Sequence, residues 1–524
     1  MPTPYTVTTW QEGSRYTANP AEIFHRICAE KKNTLLLESS ETSTKKQTIS
    51  TIIVDSALRI TAVRNRLKIR ALTKNGVSLL TQLDTVIPSD IVLKTTKYLR
   101  IMQFSLNTTH VEEDKRLLYP SIFDCFRWLI KVVQAAHGSV KSLFCGGLLS
   151  YDLIHSFEYI PHINERAPCP DLCFYLAESM VSFDHTKKDM QIQVHVFTSD
   201  HQERRRLYTR MQQLSEIMQK NRSSSLIDLQ VPISSEKTRV KSNMSDSIYA
   251  RTIDRMHEFI KQGEVFQVVP SRQFYCACTH PFSAYVVLKR MNPSPYMFFM
   301  QDTHFTLFGA SPESYLQYNP DGRIVQLHPI AGTRPRGLNV DGSIDPDLDN
   351  RLELSLRTHP KELSEHLMLV DLARNDLAKV CRTGSRFVSQ LMDVEKYSHV
   401  MHLVSSITGV LRDDLDVFHA YQSCMNMGTL TGAPKLRAMQ LIAQHENVNR
   451  GAYGGSVGYF TGSGSFDACI VIRSAFVQKN TATIQSGAGI VYDSITHEEI
   501  EEGKNKASAV LQSICNTHRI DVGE

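Results

Sequence analysis

Several things are missing from this sequence, and each absence removes a class of function. There is no basic stripe and no acidic tail; the formal net charge is +4 over 524 residues. Nucleic acid is therefore not an expected partner. No apolar run approaches the ~20 residues of a membrane helix. The opening MPTPYTVTTWQEGSRY lacks the basic-then-apolar order of a secretory signal. A membrane partner is not expected either. The 11 cysteines include no CxxC pair. Cys276 with Cys278, and Cys169 with Cys173, have no second cluster at zinc-ligand spacing. They read as reduced thiols of a cytoplasmic protein. Nucleotide loops are absent as well. Gly146 and Gly147 lie in FCGGLLSYD, without the spacing or the Lys-Ser/Thr ending of a P-loop, which predicts close backbone packing. GAYGGSVGYF (Gly451 to Phe460) enters a strand rather than a helix, against a dinucleotide site.

What is present is the mixture of a soluble globular chain, 42% hydrophobic and 21% charged. Its length allows more than one domain's worth of core. Residues 1–20 read as a polar lead-in, and TLLLES (Thr34 to Ser39) as a short buried strand. STIIVDSALRITAVRNRLKIRAL has the β-branched alternation of two strands, and SIFDCFRWLIKVVQAA the spacing of a helix. PDLCFYLAESMVSFDHTKKDMQIQVHVF predicts a hairpin turning near His185 to Lys188, followed by an amphipathic helix. The polar, Ser-rich stretch 221–245 is the expected linker between an N-terminal region, 1–220, and a second region, 246–515. The residues alone support a mixed α+β fold with many antiparallel hairpins.

The second region carries the chemistry. QLHPIAGTRPR (Gln326 to Arg336) reads as a rigid, glycine-opened loop whose arginines suit carboxylates. KELSEHLMLVDLARNDLAKV predicts a helix with Leu363, Leu367, Val370 and Leu377 toward the core and Glu362, Glu365 and His366 on neighbouring turns. THEEIEEGKNKASAVL predicts another, with Thr496 and Glu499 as a capping box and four glutamates from Glu498 to Glu502. One carboxylate from each helix is a way to hold Mg²⁺. GTLTGAPKLRAM places Thr429 and Thr431 ahead of a helix start, where hydroxyls and amides suit an anion. FDACIVIRSAFV reads as one alternating strand with Arg473 on a face with Asp467 and Val471, and SGAGIVYDS offers amides at Gly487, Ala488 and Gly489.

Taken in order, GEVFQVV, GASPES, HPIAGTRPRG, EHLMLVDLARND, GTLTGAPKLRAM, GAYGGSVGYF, the Arg473 strand, SGAGIV and EEGKNKA resemble the chorismate-utilising enzymes. Within that family the chain is most similar to the tryptophan-regulated anthranilate synthase component I type of enteric bacteria. The resemblance runs from about Thr34 to Ala507. It implies an antiparallel β-sandwich core with surrounding helices. It also implies a lyase that turns chorismate and ammonia into anthranilate and pyruvate, the committed step of tryptophan synthesis. Matching positions make Glu313 the general acid, with His402, Gln267 and Thr429 also catalytic. Gly332, Thr333, Tyr453, Arg473, Gly487, Ala488 and Gly489 would bind chorismate, and Glu365 and Glu502 the Mg²⁺. Carboxylate recognition thereby moves from Arg334 and Arg336 to Arg473 and the metal. Burial near other carboxylates would keep Glu313 protonated. His399 competes with His402 for the role in pyruvate elimination.

Two positions discriminate within the family. Water-adding relatives carry a lysine base where this chain has Gln267. Aminodeoxychorismate synthase, the alternative reading, typically carries a lysine where this chain has Ala331. No amidotransferase elbow is present, so ammonia is expected from a separate glutamine amidotransferase subunit, in a heterotetramer of two large and two small subunits. LLLES paired with NPSPYMFF matches the family's tryptophan feedback site, with Glu38, Ser39, Pro295, Tyr296 and Met297 as contacts for inhibitory L-tryptophan.

Overall fold

The computed structural model describes residues 7–518 apart from 30, 40–48, 106–112, 137–142, 162–166, 220–239, 340 and 398–399. Its centre is a pair of long antiparallel strands, Ile49–Val63 and Leu172–Asp184, rich in β-branched and aromatic residues and almost wholly buried. From the first, one sheet runs through Thr34–Glu38, Tyr296–Gln301, Thr306–Ser311, Ser474–Gln478 and Thr481–Gly487 to Ser271–Ala277. From the second, another runs through Phe144–Leu149, Ser456–Thr461, Phe466–Ile470, Ser314–Asn319 and Ile324–Leu327 to Val400–Val410. Leu35, Phe298 and Leu307 of one sheet share a buried cluster with Leu148, Val457 and Cys469 of the other. The sheets thus pack face to face, as expected of an antiparallel sandwich.

Strands from before and after the 221–245 stretch pair within both sheets. Thr34–Glu38 lies beside Tyr296–Gln301, and Phe144–Leu149 beside Ser456–Thr461. Most of the expected linker falls outside the described residues. The glycine pair behaves as predicted: a Cβ on Gly147 would stand 2.1 Å from the Cys173 carbonyl oxygen, so the strands close only around a bare backbone. Ser245 caps the helix Asp246–Lys261, which ends before Gly263 at φ +77°.

Three expectations need correction. The lead-in contains a strand, Thr8–Ser14, paired with Asp189–Val196; this half-exposed strand has too little apolar alternation to be read from sequence. Leu367 is 51% exposed rather than part of the core, although Val370 and Leu377 are buried. Thr496 forms no capping box with Glu499. Its hydroxyl donates to Asp254 at 2.8 Å, while Glu499 is buried facing Lys361.

All 11 cysteines are unpaired and buried. Among the described residues, no helix is long and apolar enough to cross a membrane.

Candidate active site

Glu313 and Arg473 reach one cavity because the chain changes sheets at both. Strand Thr306–Ser311 belongs to the first sheet and Ser314–Asn319 to the second, so Pro312 and Glu313 make the crossing. Val471 to Arg473 make the return from Phe466–Ile470 to Ser474–Gln478. Main-chain bonds join the crossings: Ile470 N–H to Glu313 O at 3.0 Å and Ala310 N–H to Arg473 O at 3.1 Å. FDACIVIRSAFV is therefore two strands with a turn, not the single strand expected. Arg473 occupies the left-handed region at φ +47°. Its position at a turn takes the side chain off the sheet face and onto the cavity wall.

The cavity has a volume of about 860 Å³, within the range of small-molecule sites. Every sequence-predicted catalytic, substrate and metal residue lines it except Ala488, whose side chain is in the core. Gly487 and Gly489 flank it on the wall; a Cβ on Gly487 would meet the Pro270 carbonyl oxygen at 2.1 Å.

Glu313 is buried, and Thr429 Oγ1 donates to its Oε1 at 2.9 Å. Burial pushes this carboxyl up to about 8, against the pull of Thr429, Lys506 and Arg473. The cause differs from the expected one, because desolvation does this without neighbouring carboxylates. Arg473 makes no salt bridge among the described residues, and burial holds it below its ordinary value. It is a cation placed for an incoming carboxylate. Gln267 Oε1 is buried without a hydrogen-bond partner among the described residues.

QLHPIAGTRPR is not a free loop. Ile330–Pro335 is a strand against Val400–Val410 with an irregularity between Ile330 and Thr333, where Gly332 sits at φ +84°. A Cβ there would approach Glu362 Oε2 to 2.8 Å. Thr333 stands opposite His402, with Oγ1 and Nδ1 2.9 Å apart. His402 Nε2 is buried with no partner among the described residues, and burial together with Arg473 lowers the imidazole to about 3. It is a neutral ring. His399 lies outside the described residues. The arginines of the motif are already paired: Arg334, on the cavity wall, pairs with Glu362 at 2.9 Å, and Arg336 grips Asp349 with two bonds at 2.8 and 3.1 Å.

Part of the wall is acidic. Glu365 from the helix Pro360–Ala378 and Glu502 from Thr496–His518 both face the cavity. Glu365 Oε1 is buried without a hydrogen bond among the described residues, and Lys361 Nζ is 4.0 Å away. Burial, reinforced by Glu362, Glu499 and Glu502, raises Glu365 to about 7 despite Lys361. Burial acts to raise Glu502 too, but Lys506, paired at 2.6 Å, holds it below the ordinary value. Among the described residues, no three carboxylate, imidazole or thiolate groups cluster tightly enough to enclose a metal. A carboxylate oxygen of Glu365 without a partner among the described residues, in a cavity that Glu502 also faces, fits a hard cation that takes its remaining ligands from water and substrate.

Residues 94–512 match the chorismate binding enzyme family. The chain belongs to that family. It is 51% identical over 510 residues to anthranilate synthase component 1 of Buchnera aphidicola subsp. Baizongia pistaciae, covering 97% of each chain. It is 50% identical over 503 residues to anthranilate synthase component 1 of Salmonella typhimurium, covering 96% of each. Among solved structures it is similar to anthranilate synthase component I from Streptococcus pneumoniae TIGR4. That match has a TM-score of 0.66 and 27% identity, covering 89% of this chain and 92% of that one.

A second cavity, of about 240 Å³, lies where Thr34–Glu38 pairs with Tyr296–Gln301, with Glu38 opposite Met297. The motifs LLLES and NPSPYMFF thus meet as adjacent strands. Glu38, Tyr296 and Met297 line this cavity; Ser39 and Pro295 adjoin them in sequence but are not on its wall. The Glu38 carboxylate accepts from Lys289 Nζ at 2.7 Å and from the Tyr285 hydroxyl. Ser39 Oγ is buried and without a partner among the described residues.

Sequence reasoning assigned no role to Lys361 and Lys506, which organise the acidic wall. Lys361 reaches Glu499 at 3.4 Å, and Lys506 also donates to the Gly487 carbonyl oxygen at 3.2 Å. The signal was available, since each lysine is four residues from a predicted metal ligand on the same helix.

Proposed function

We infer that the protein is the chorismate-converting component of an anthranilate synthase, a lyase forming anthranilate and pyruvate from chorismate and ammonia. The observation that carries this reading is Glu313: a buried carboxyl raised to about 8, in a cavity that also holds Arg473, which has no salt bridge among the described residues. Hydroxide is a poor leaving group, and Glu313, protonated at neutral pH, delivers the proton that lets the ring hydroxyl leave as water while ammonia bonds to the ring. Arg473, Tyr453 and the amides of Gly487 and Gly489 hold the enolpyruvyl carboxylate, and Gly332 and Thr333 line the ring. His402, neutral and steadied by Thr333, accepts the ring proton as the enolpyruvyl C–O bond breaks. The released enolpyruvate gains a proton to become pyruvate, and the ring becomes aromatic.

Glu365 and Glu502 would hold Mg²⁺, which when bound neutralises the ring carboxylate of chorismate. An amide at Gln267 cannot deprotonate water, and ammonia needs no base. Ala331 carries no amine, which favours anthranilate over the aminodeoxychorismate alternative. Ammonia is supplied by a separate glutamine amidotransferase subunit, in an assembly of two large and two small subunits in the cytoplasm. L-tryptophan inhibits from the cavity between Thr34–Glu38 and Tyr296–Gln301, a coupling of two separate sites. The test is incubation with chorismate, Mg²⁺ and ammonium, with and without tryptophan, followed by anthranilate fluorescence. Fluorescent product that tryptophan suppresses supports the reading; a non-aromatised amino product overturns it.

A further inference from the structure

Glu446 and Arg450 form an ion pair whose side chains are only 1% and 2% exposed. Glu446 follows the helix Lys435–His445, and Arg450 comes shortly before Tyr453. The guanidinium donates to the Glu446 carboxylate through Nε at 2.9 Å and Nη2 at 2.5 Å. Burial of two charges costs desolvation that offsets much of their attraction, so stability alone is a weak reason for such a pair. Its other bonds all lead to the catalytic cavity.

Arg450 Nη1 donates to the Leu430 carbonyl oxygen and Nη2 to that of Val269, each at 2.6 Å. Leu430 and Val269 both line the cavity. The guanidinium carbon is 5.5 Å from the ring centroid of Tyr453, a third cavity residue, and 4.7 Å from that of Tyr151. Glu446 Oε1 accepts from the Ser271 N–H at 2.7 Å and its hydroxyl at 2.8 Å. The Ser271 hydroxyl oxygen accepts from Nε2 of Gln485, on the cavity wall, at 2.8 Å.

The short helix Gly428–Thr431 depends on these bonds. Four residues are too few to satisfy their own carbonyls within a helical ladder, so Leu430 and Thr431 need donors from outside. Arg450 supplies one, and the Val269 N–H supplies the other, to Thr431 O at 3.0 Å. The same helix carries Thr429, whose hydroxyl donates to Glu313 at 2.9 Å. The charges that bear on Glu313 are Lys506, from the helix Thr496–His518, and Arg473, from the crossing between sheets.

We propose that Arg450, anchored by Glu446, is a positioning residue that sets the Thr429–Glu313 bond by clamping the Leu430 carbonyl to Val269. The proposal rests on the functional reading above, with Glu313 as the acid. Lysine cannot replace Arg450 in this role, because an ammonium lacks the planar fork that meets a carboxylate and two carbonyls together.

The test is the pH dependence of ammonium-driven anthranilate formation at constant free ammonia. Arg450→Lys keeps the charge and breaks the clamp. Loosening Thr429 weakens a bond that lowers the Glu313 pKa, so the declining limb should move to higher pH, toward its position in Thr429→Val. In the double variant Thr429→Val with Arg450→Lys, the limb should stay where Thr429→Val alone puts it. A residue that only stabilised the fold would lower the unfolding temperature and leave the limb in place. If Arg450→Lys does not fold, Glu446→Gln decides. It frees the guanidinium but leaves its charge uncompensated, which by charge alone moves the limb down, whereas loss of the clamp moves it up. An unmoved or lowered limb in the folded variant, or a further upward shift in the double variant, overturns the proposal. Absence of anthranilate from the unaltered chain overturns the functional reading instead.

Discussion

Thr429 donates its hydroxyl proton to Glu313 at 2.9 Å, across the gap between the short helix Gly428–Thr431 and the point where the chain leaves its first sheet. The bond orients the carboxyl and slightly opposes the burial that keeps it protonated.

Replacing Glu313 with Gln keeps the shape and removes the proton. Ammonium-driven turnover is expected to fall about 10²–10⁴-fold. The acid form is populated below about 8 and lost above it, so the wild-type rate, at constant free ammonia, should decline as pH rises through that value. Thr429→Val removes an interaction that lowers the Glu313 pKa, so the declining limb should move to higher pH. A wild-type rate that stays level well above pH 8 would count against Glu313 as the acid.

Chelation of divalent ions should abolish turnover, and added Mg²⁺ should restore it in the wild type. Glu365→Ala and Glu502→Ala should lose activity that Mg²⁺ does not restore. Normal turnover in either variant would remove that residue from the metal site.

Ser39→Phe places a bulky ring at a buried hydroxyl next to Glu38 that has no partner among the described residues. Catalysis should persist while tryptophan inhibition is relieved, read as a rightward shift of the inhibition curve. Unchanged sensitivity would argue against this strand as part of the regulatory cavity.

Gly147→Ala forces a methyl group against the Cys173 carbonyl oxygen, 2.1 Å from the ideal Cβ. Overpacking of this kind costs about 1–3 kcal/mol. Thermal unfolding should shift to lower temperature; an unaltered transition would mean the strands can separate freely.

Much of the site was legible because its chemistry is local to short motifs. Gly332 with Thr333, and the glutamates of the two helices, are visible by residue type and spacing, but their roles follow from the family resemblance rather than from the spacing. The hairpin at His185 to Lys188 and the helix starting at Ser245 were legible for the same reason. Convergence was not. Arg473 looks like one residue of a continuous strand until the partner strands show that Phe466–Ile470 and Ser474–Gln478 belong to different sheets. The pairing of Glu38 with Met297 links residues far apart in the chain, and periodicity carries no information about such contacts. The strand Thr8–Ser14 is half-exposed, so burial never imprinted an apolar pattern on it.

The most direct test is product analysis with isotope-labelled ammonium. The protein, chorismate, Mg²⁺ and labelled ammonium are incubated, and the products are separated and identified by mass and fluorescence. Anthranilate carrying the label in its amino group, with equimolar pyruvate, is the expected result. A hydroxylated ring, or an amino product that retains the enolpyruvyl group, would contradict it.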